Sequence, residues 1–474
     1  MESSALLHYP LPSDAGLKNQ YVGRKISEVA APAAIIDRAV AKRNCEAMLE
    51  VAKRLNVGFR AHIKTHKTTE LSRLQVGNTG PASIIVSTVM ELEQLLPLLR
   101  ILQVEGRDCS VLYGMPLPPS NVQRLMSLAK KLKSLTINVL IDHPDQVEHF
   151  SQTSFKEPDT RIGAFIKVDT GYHRSGVAPE SATLKTIVDG IMTADCLVLS
   201  GFYSHLGHSY GGNSAAEAIQ GLIHEIRSTK EAVDLACEGL KVQNRLTISV
   251  GATPTATAVQ NILMKSDPAA DEARKVIEQV AATCHLELHA GVYPLLDLQQ
   301  LATHARPTEV PGDLGESSNA VAPLSVENIG LRMLVEVASL YDDRGTPEAL
   351  IGAGTLALGR EPCKSYPGWG IVTPWEDSTA ADDDRQLFFQ EASPVYDEIG
   401  RTGWIVGRIS QEHGILVWQG DQQNKRKLRV GEKLLVWPNH ACVAGAGSGW
   451  YLVVDSDEQD PDRIVDVWVR WRGW

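Results

Sequence analysis

Between residues 58 and 295 short β-branched runs alternate with longer stretches in which apolar residues recur every three or four positions. The runs are FRAHIKTH (59–66), ASIIVST (82–88), CSVLYGM (109–115), LTINVLIDH (135–143), IGAFIKVDT (162–170), LVLSGFYSHL (197–206), LTISVGATP (246–254) and LELHAGVYP (286–294). Runs of this kind predict strands, and segments such as MELEQLLPLLRILQ and SNVQRLMSLAKKLKSL between them predict helices. Eight strands alternating with helices over roughly 250 residues predict a TIM (β/α)8 barrel. The competing arrangement is an open doubly wound sheet, which uses a Gly-rich first turn, and no GxGxxG follows the first strand.

Beyond residue 300 the texture changes. ATHARPTEVPGDLGESSNAVAPLS (302–325) is polar and rich in Pro and Gly, as a linker or long surface loop is. The segments that follow, among them LRMLVEVASLY, GWIVGRIS, KLLVWPNHACV and IVDVWVRW, alternate with few helical periods and predict a mostly antiparallel β domain. The chain therefore divides into an N-terminal segment (1–30) packing on one of the domains, a barrel (31–300), a linker (301–328) and a β domain (329–474). An acidic loop at 376–384 interrupts the last.

Charge and composition narrow the function classes. The chain has 474 residues, 43% hydrophobic and 22% charged, with a net charge of −11. That balance argues against nucleic acid or an anionic membrane surface as a partner. No apolar run is long enough to span a bilayer, and the start, MESSALLHYPLPSDAG, lacks the basic region and apolar core of a signal peptide. Seven scattered cysteines without a CxxC fit a reducing compartment, hence a cytoplasmic location.

Active sites of TIM barrels lie at the C-terminal strand ends. Polar residues collect there: Lys64 to His66, Asp169 to Arg174, Tyr203 to Tyr210, Gly251 to Thr255, and His289 to Tyr293. Arg60, His62 and Lys64 are two apart and so share one face of the first strand. The loops after strands seven and eight, GATPT and HAGVY, offer hydroxyls, backbone N–H groups and a close-approach glycine, the makings of a phosphate site. A lysine facing the same mouth suggests a Schiff base with pyridoxal phosphate, with Arg60 and His62 depressing its pKa by charge and burial. Lys67 is the rival lysine, but it has the opposite parity and falls at the start of the next helix.

RAHIKTHKT, KVDTGYHRSGV, GFYSHLGHSY, SVGATPTA and ELHAGVY, in this order, resemble the D-serine dehydratase and D-threonine aldolase family of fold-type III pyridoxal-phosphate enzymes, which share the alanine-racemase barrel. The resemblance runs from about residue 20 to the end. It implies Lys64 as the lysine that carries the cofactor, Tyr203 and Tyr210 beside it, Arg174 near its ring, and Thr253, Gly291 and Val292 at its phosphate. His66, His205 and His208 are expected in supporting positions. Ala61 and Ala252 depart from the family, which more often has proline and serine there. Without its serine, Ala252 offers only its backbone N–H.

The β domain carries WPNHACVAGAG. A lone His-x-Cys is weak as a metal motif. The resemblance implies a divalent metal at His440 and Cys442, and a thiolate with an imidazole favours Zn2+. Aldolase-like members carry His-x-Asp instead. The implied activity is a lyase acting on a small D-amino acid: dehydration of D-serine, with D-threonine a further candidate substrate. Aldol cleavage of D-threonine and dehydration of 3-hydroxy-D-aspartate are the alternatives on the same scaffold, and a non-catalytic pyridoxal-phosphate protein is the third. The family also implies a homodimer.

Overall fold

In the computed structural model, which describes residues 11–131, 135–154, 161–240, 245–264, 268–309, 319–375 and 402–474, the alternation after residue 58 closes on itself. Eight parallel strands form a barrel: β2 (Gly58–His62), β3 (Ala82–Val86), β4 (Cys109–Pro116), β5 (Leu135–Ile141), β6 (Ile162–Lys167), β7 (Leu197–Tyr203), β8 (Thr247–Val250) and β9 (His285–Ala290). The barrel closes between β2 and β9, where Arg60 is in register with His289. Most strands end several residues before the runs read from sequence, so the polar ends are turns rather than strand. Side-chain oxygens start the intervening helices: Thr68, Thr88 and Ser214 accept from the N–H groups of Leu71, Glu91 and Glu217.

Inside the barrel Ile85, Leu112, Leu140, Phe165 and Tyr203 pack together. Toward the N-terminal strand ends a buried ion pair replaces apolar filling. Arg60 donates to both carboxylate oxygens of Glu287, at 2.5 and 3.1 Å, and to Ser110 Oγ at 3.1 Å. Its guanidinium also lies 5.7 Å from the Phe165 ring centre.

The second sheet has nine strands: β1 (Ala33–Asp37), β10 (Leu331–Tyr341), β11 (Glu348–Ile351), β12 (Gly370–Val372), β13 (Gly403–Ile409), β14 (Gly414–Gln419), β15 (Lys433–Pro438), β16 (Trp450–Val454) and β17 (Asp466–Val469). Their order is β11-β14-β13-β12-β15-β10-β1-β16-β17, and β10 also pairs with β11, so the first six close into a small antiparallel barrel. One pairing is parallel, that of β1 with β16.

Strand β1 corrects the expected start of the TIM barrel at residue 31. It runs antiparallel to β10, with Ala33 opposite Leu334, and so belongs to the second domain. The helix after it, Arg38–Arg54, packs back on the TIM barrel. The described part of the N-terminal segment lies on the second sheet. Leu17, Ile26 and Val29 share an apolar cluster with Leu334, Leu452 and Val467. The acidic stretch 376–384, and residues 310–318 of the linker, lie outside the described residues. Among the described residues no helix is long and apolar enough to cross a membrane.

Removing one partner of a buried ion pair strands the other charge. Arg60→Met is expected to lower stability by about 3–5 kcal/mol, and Arg60→Met with Glu287→Leu to recover much of the loss. Denaturant unfolding of the two variants against wild type checks this.

Candidate active site

The polar strand ends of the TIM barrel meet the second domain around a cavity of about 540 Å³. Arg60 and His62 are two apart in β2 and so share one side, and Lys64 follows in the turn after the strand. Arg60 stays inside the barrel against Glu287, whereas His62 and Lys64 line the cavity. Burial, and then the charge of Lys64 and the rings of His289 and His205, hold His62 well below the ordinary imidazole range. This corrects the expectation that Arg60 and His62 surround Lys64 with positive charge. One is neutralised by a carboxylate and the other is an uncharged ring. Lys67 turns elsewhere, its ammonium 3.0 Å from the buried carboxylate of Glu91. His66 is also sequestered, bonded to Thr68 and Gln75.

The loop after β6 is shaped by Asp169, whose carboxylate accepts from the N–H groups of Gly171 and His173, both at 3.0 Å. It delivers Arg174 to the rim, 5.5 Å from the Tyr172 ring centre. Tyr203, the last residue of β7, is not among the described residues lining the cavity. It lies under the cavity floor, stacked at 4.2 Å on His289, which does line it. Lys167 Nζ is 5.4 Å from the same tyrosine ring, and burial pushes this lysine down to about 8, partly offset by Glu225. Tyr210, in the short helix Gly207–Gly211, reaches the cavity and hydrogen-bonds Thr253. His205 lines the cavity with its Nδ1 2.8 Å from the carbonyl of Gly251, and His208 is exposed.

Thr253, Gly291 and Val292 all line the same end. The Val292 N–H donates to Thr253 Oγ1 at 3.3 Å, joining the loops after β8 and β9. A Cβ at Gly291 would sit 3.3 Å from the carbonyl oxygen of His62, a tight contact that a larger residue meets only if the neighbouring chain gives slightly. The Ala252 N–H is already used, donating to Thr255 Oγ1 at 3.0 Å. Behind the loops lies Glu225, fully buried on the helix Ala215–Ala236. Burial pushes its carboxyl up to about 7, against hydrogen bonds from Gly251, Ser204 and Leu206 and the charge of Lys167. Sequence reading passed over Glu225, although it shares one face of its helix, at three- and four-residue spacings, with Leu222, Thr229 and Ala232.

From the second domain come His440 and Cys442. Cys442 Sγ is 3.1 Å from Thr65 Oγ1, beside Lys64. Burial alone would raise the thiol, but the hydrogen bond and charge of His440, then the charge of Lys64, hold it below its ordinary value. His440 is pushed up to about 9. Burial opposes this shift, and the thiol, Asp297 and Glu361 drive it. Asp297 fixes the segment by accepting from the Ala441 N–H at 2.9 Å. Glu361, Lys364 and Gln299 complete the rim, and none was singled out from sequence, because their place depends on how the domains meet.

These residues fit two groups. A lysine on one wall, the joined loops of Thr253, Gly291 and Val292 at one end, and aromatic and imidazole rings between them suit pyridoxal phosphate. A depressed thiol with an imidazole whose Nδ1 is buried without a hydrogen-bond partner suits a soft divalent cation such as zinc. Among the described residues no third His, Cys, Asp or Glu joins them as a ready ligand, so the protein would supply two.

Comparison with known proteins agrees with this architecture. Residues 36–274 match the family "Alanine racemase, N-terminal domain", and residues 330–454 match "Putative serine dehydratase domain". The chain is 32% identical to a D-serine dehydratase of Schizosaccharomyces pombe, covering 97% of this chain and 95% of that one. It is 28% identical to a D-serine dehydratase of Saccharomyces cerevisiae, covering 96% and 99%. Among solved structures, D-threo-3-hydroxyaspartate dehydratase from Delftia sp. HT23 superposes with a TM-score of 0.66 at 23% identity, covering 95% of this chain and 100% of that one, a likeness of fold.

The carboxyl of Glu225 gives a pH signature. Its folded pKa, about 7, lies above the ordinary 4.5, so the folded state holds the extra proton in between. Stability contributed at this position is therefore lost as pH rises from 4.5 to 7, by at most roughly 3 kcal/mol, and stays lost above. Glu225→Gln is expected to flatten that part of the profile, as read by denaturant unfolding across pH 4.5–8 (about the titration window).

Proposed function

This chain belongs to the D-serine dehydratase family and is a lyase on an alanine-racemase-type barrel, and on that footing we propose that it eliminates water from D-serine to give pyruvate and ammonia. We include in the proposal pyridoxal phosphate carried on Lys64 and zinc held by His440 and Cys442. One observation carries the reading: a lysine from the first barrel strand and a His–Cys pair from the other domain line one cavity, with Cys442 close enough to Lys64 to feel its charge.

Bound pyridoxal phosphate supplies an electron sink that acidifies the α-proton, and bound zinc supplies a Lewis acid that turns the β-hydroxyl into a leaving group. The protein's own residues do the rest. Thr253, Gly291 and Val292 hold the phosphate. Lys64, which would carry the cofactor, lines the cavity where its Nζ would take the α-proton. The three uncharged imidazoles of His62, His205 and His289 keep this floor free of competing positive charge, so the proton finds its acceptor at the lysine. Tyr203 and Lys167 support the floor from below through the stack on His289. His440 and Cys442 would hold the metal that polarises the hydroxyl, and Arg174 stands at the rim. The His-x-Cys pair is the form the dehydratase members of the family carry, where aldolase-like members have His-x-Asp, and this favours dehydration over aldol cleavage. The same reading carries a homodimer, which sedimentation of the holoprotein checks.

The test is a product assay with purified holoprotein. D-Serine should yield pyruvate and ammonia in equal amounts, and D-threonine should yield a keto acid rather than glycine and acetaldehyde. Lys64→Ala should lose turnover together with the cofactor absorbance near 410–420 nm (about where such cofactors absorb when bound to lysine). Cys442→Ala, or chelation of zinc, should lower turnover on the order of 100-fold or more while that absorbance persists, the scale of losing a stabiliser of leaving-group charge. Full activity after complete zinc removal overturns the metal's role.

A further inference from the structure

The wall of the cavity nearest His440 is formed by residues 361–364 of the second domain. Hydrogen bonds hold this segment in place. Asn439 Nδ2 donates to the carbonyl of Glu361 at 2.9 Å, and Gln299 Nε2 donates to the carbonyl of Pro362 at 2.7 Å. Lys364 Nζ crosses to the barrel, donating to the Gly211 carbonyl at 3.1 Å and to Asn213 Oδ1 at 2.9 Å. Its ammonium is thereby turned onto the loop that follows Tyr210.

Glu361 is the one carboxylate among the described residues that line the cavity. Its Oε2 is 3.9 Å from His440 Nδ1, and its side chain is about half exposed to the cavity and solvent. Asp297, buried behind His440, adds a second negative group at the same end. Of the positive groups that line the cavity, Lys64 and Arg174 belong to the barrel side, and Lys364, on the Glu361 segment, has its ammonium bonded to the Gly211 carbonyl and Asn213 Oδ1. Lys64 and Arg174 thus stand where a substrate's amino-acid end would meet the cofactor, and Glu361 is the lining carboxylate beside the His–Cys pair, where its β-substituents would lie.

We propose that Glu361 is a specificity-determining residue that excludes 3-hydroxy amino acids bearing a second carboxylate, so that the enzyme selects substrates with an uncharged β-substituent. The inference rests on the dehydratase reading, in which the substrate hydroxyl sits at His440 and Cys442. The third group on the β-carbon then faces the Glu361 wall. Hydrogen, as in serine, or methyl, as in threonine, meets that wall without charge. A carboxylate there meets a like charge a few ångströms away, which disfavours it by about tenfold. The backbone anchoring of Glu361 prevents the wall from swinging away, so the repulsion is not relieved by a small movement.

The experiment uses the holoenzyme with pyridoxal phosphate and zinc, as wild type, Glu361→Gln and Glu361→Ala. Two quantities are read. The first is the ratio of kcat/KM for D-threo-3-hydroxyaspartate to kcat/KM for D-serine. The second is the ratio of the dissociation constants of D-aspartate and D-alanine, which lack the hydroxyl and cannot eliminate, from titration of the cofactor absorbance. Both variants should raise the first ratio about tenfold or more and tighten D-aspartate relative to D-alanine by a similar factor. Unchanged ratios in both variants overturn the proposal. Loss of bound zinc from Glu361→Gln with unchanged ratios also overturns it and makes Glu361 a metal ligand instead. The equilibrium arm needs no dehydration, so a wild type that makes no pyruvate from D-serine refutes the dehydratase reading separately.

Discussion

A fully buried carboxylate at the seam between two domains holds the site together. Asp297 accepts from the Gln300 N–H at 2.9 Å, starting a short helix at the exit of the TIM barrel, and from the Ala441 N–H at the same distance. Burial raises its pKa, and the charge of His440 with three backbone N–H groups draws it back. Two residues after Asp297, the Gln299 N–H donates to the Asn439 carbonyl at 3.0 Å. A buried anion with this many donors is costly to misplace, so the segment that carries His440 and Cys442 has little freedom relative to the barrel mouth. Lys64 and the His–Cys pair can share one cavity because of this seam. The Thr65 to Cys442 contact is its nearest expression on the cofactor side.

The TIM barrel was legible because its eight runs carry their own boundaries, and the polar ends of those runs gave the mouth. Lys64 lines the cavity and Lys67 pairs with Glu91, but both stand beyond the end of β2, so the turn rather than strand parity sets their directions. Parity says which side a residue takes but not how deep it lies, which is why Tyr203 falls under the floor while Tyr210, seven residues on, reaches the cavity. Strand β1 was hidden for another reason. A short apolar strand followed by an amphipathic helix reads as one more βα unit, and nothing local records which sheet the strand joins. Glu361, Gln299 and Asn439 were invisible in the same way, since their roles arise from contacts between segments 60 to 140 residues apart.

The cavity is also a study in suppressed charge. The imidazoles of His62, His205 and His289 are held neutral by burial and by neighbouring positive charge, Tyr210 keeps its proton, and Arg60 is paired with Glu287. What charge remains is placed at separate walls. A low-dielectric interior makes each surviving charge count for more, because little solvent is present to screen it. The neutral floor and the charged walls therefore belong to one design: fewer charges, each with a longer reach.

Strand β1 lies between β10 and β16, so residues 33–37 close a sheet whose other members begin near residue 331. On a ribosome adding about 5–20 residues per second, this strand waits roughly 15–60 s for β10 to emerge, and longer for β16. For that interval its two edges have no native partner, while the helix after it can already dock on the growing TIM barrel. The second domain is thus assembled last from both directions of the chain, and its completion reports that synthesis has passed the segment carrying His440 and Cys442.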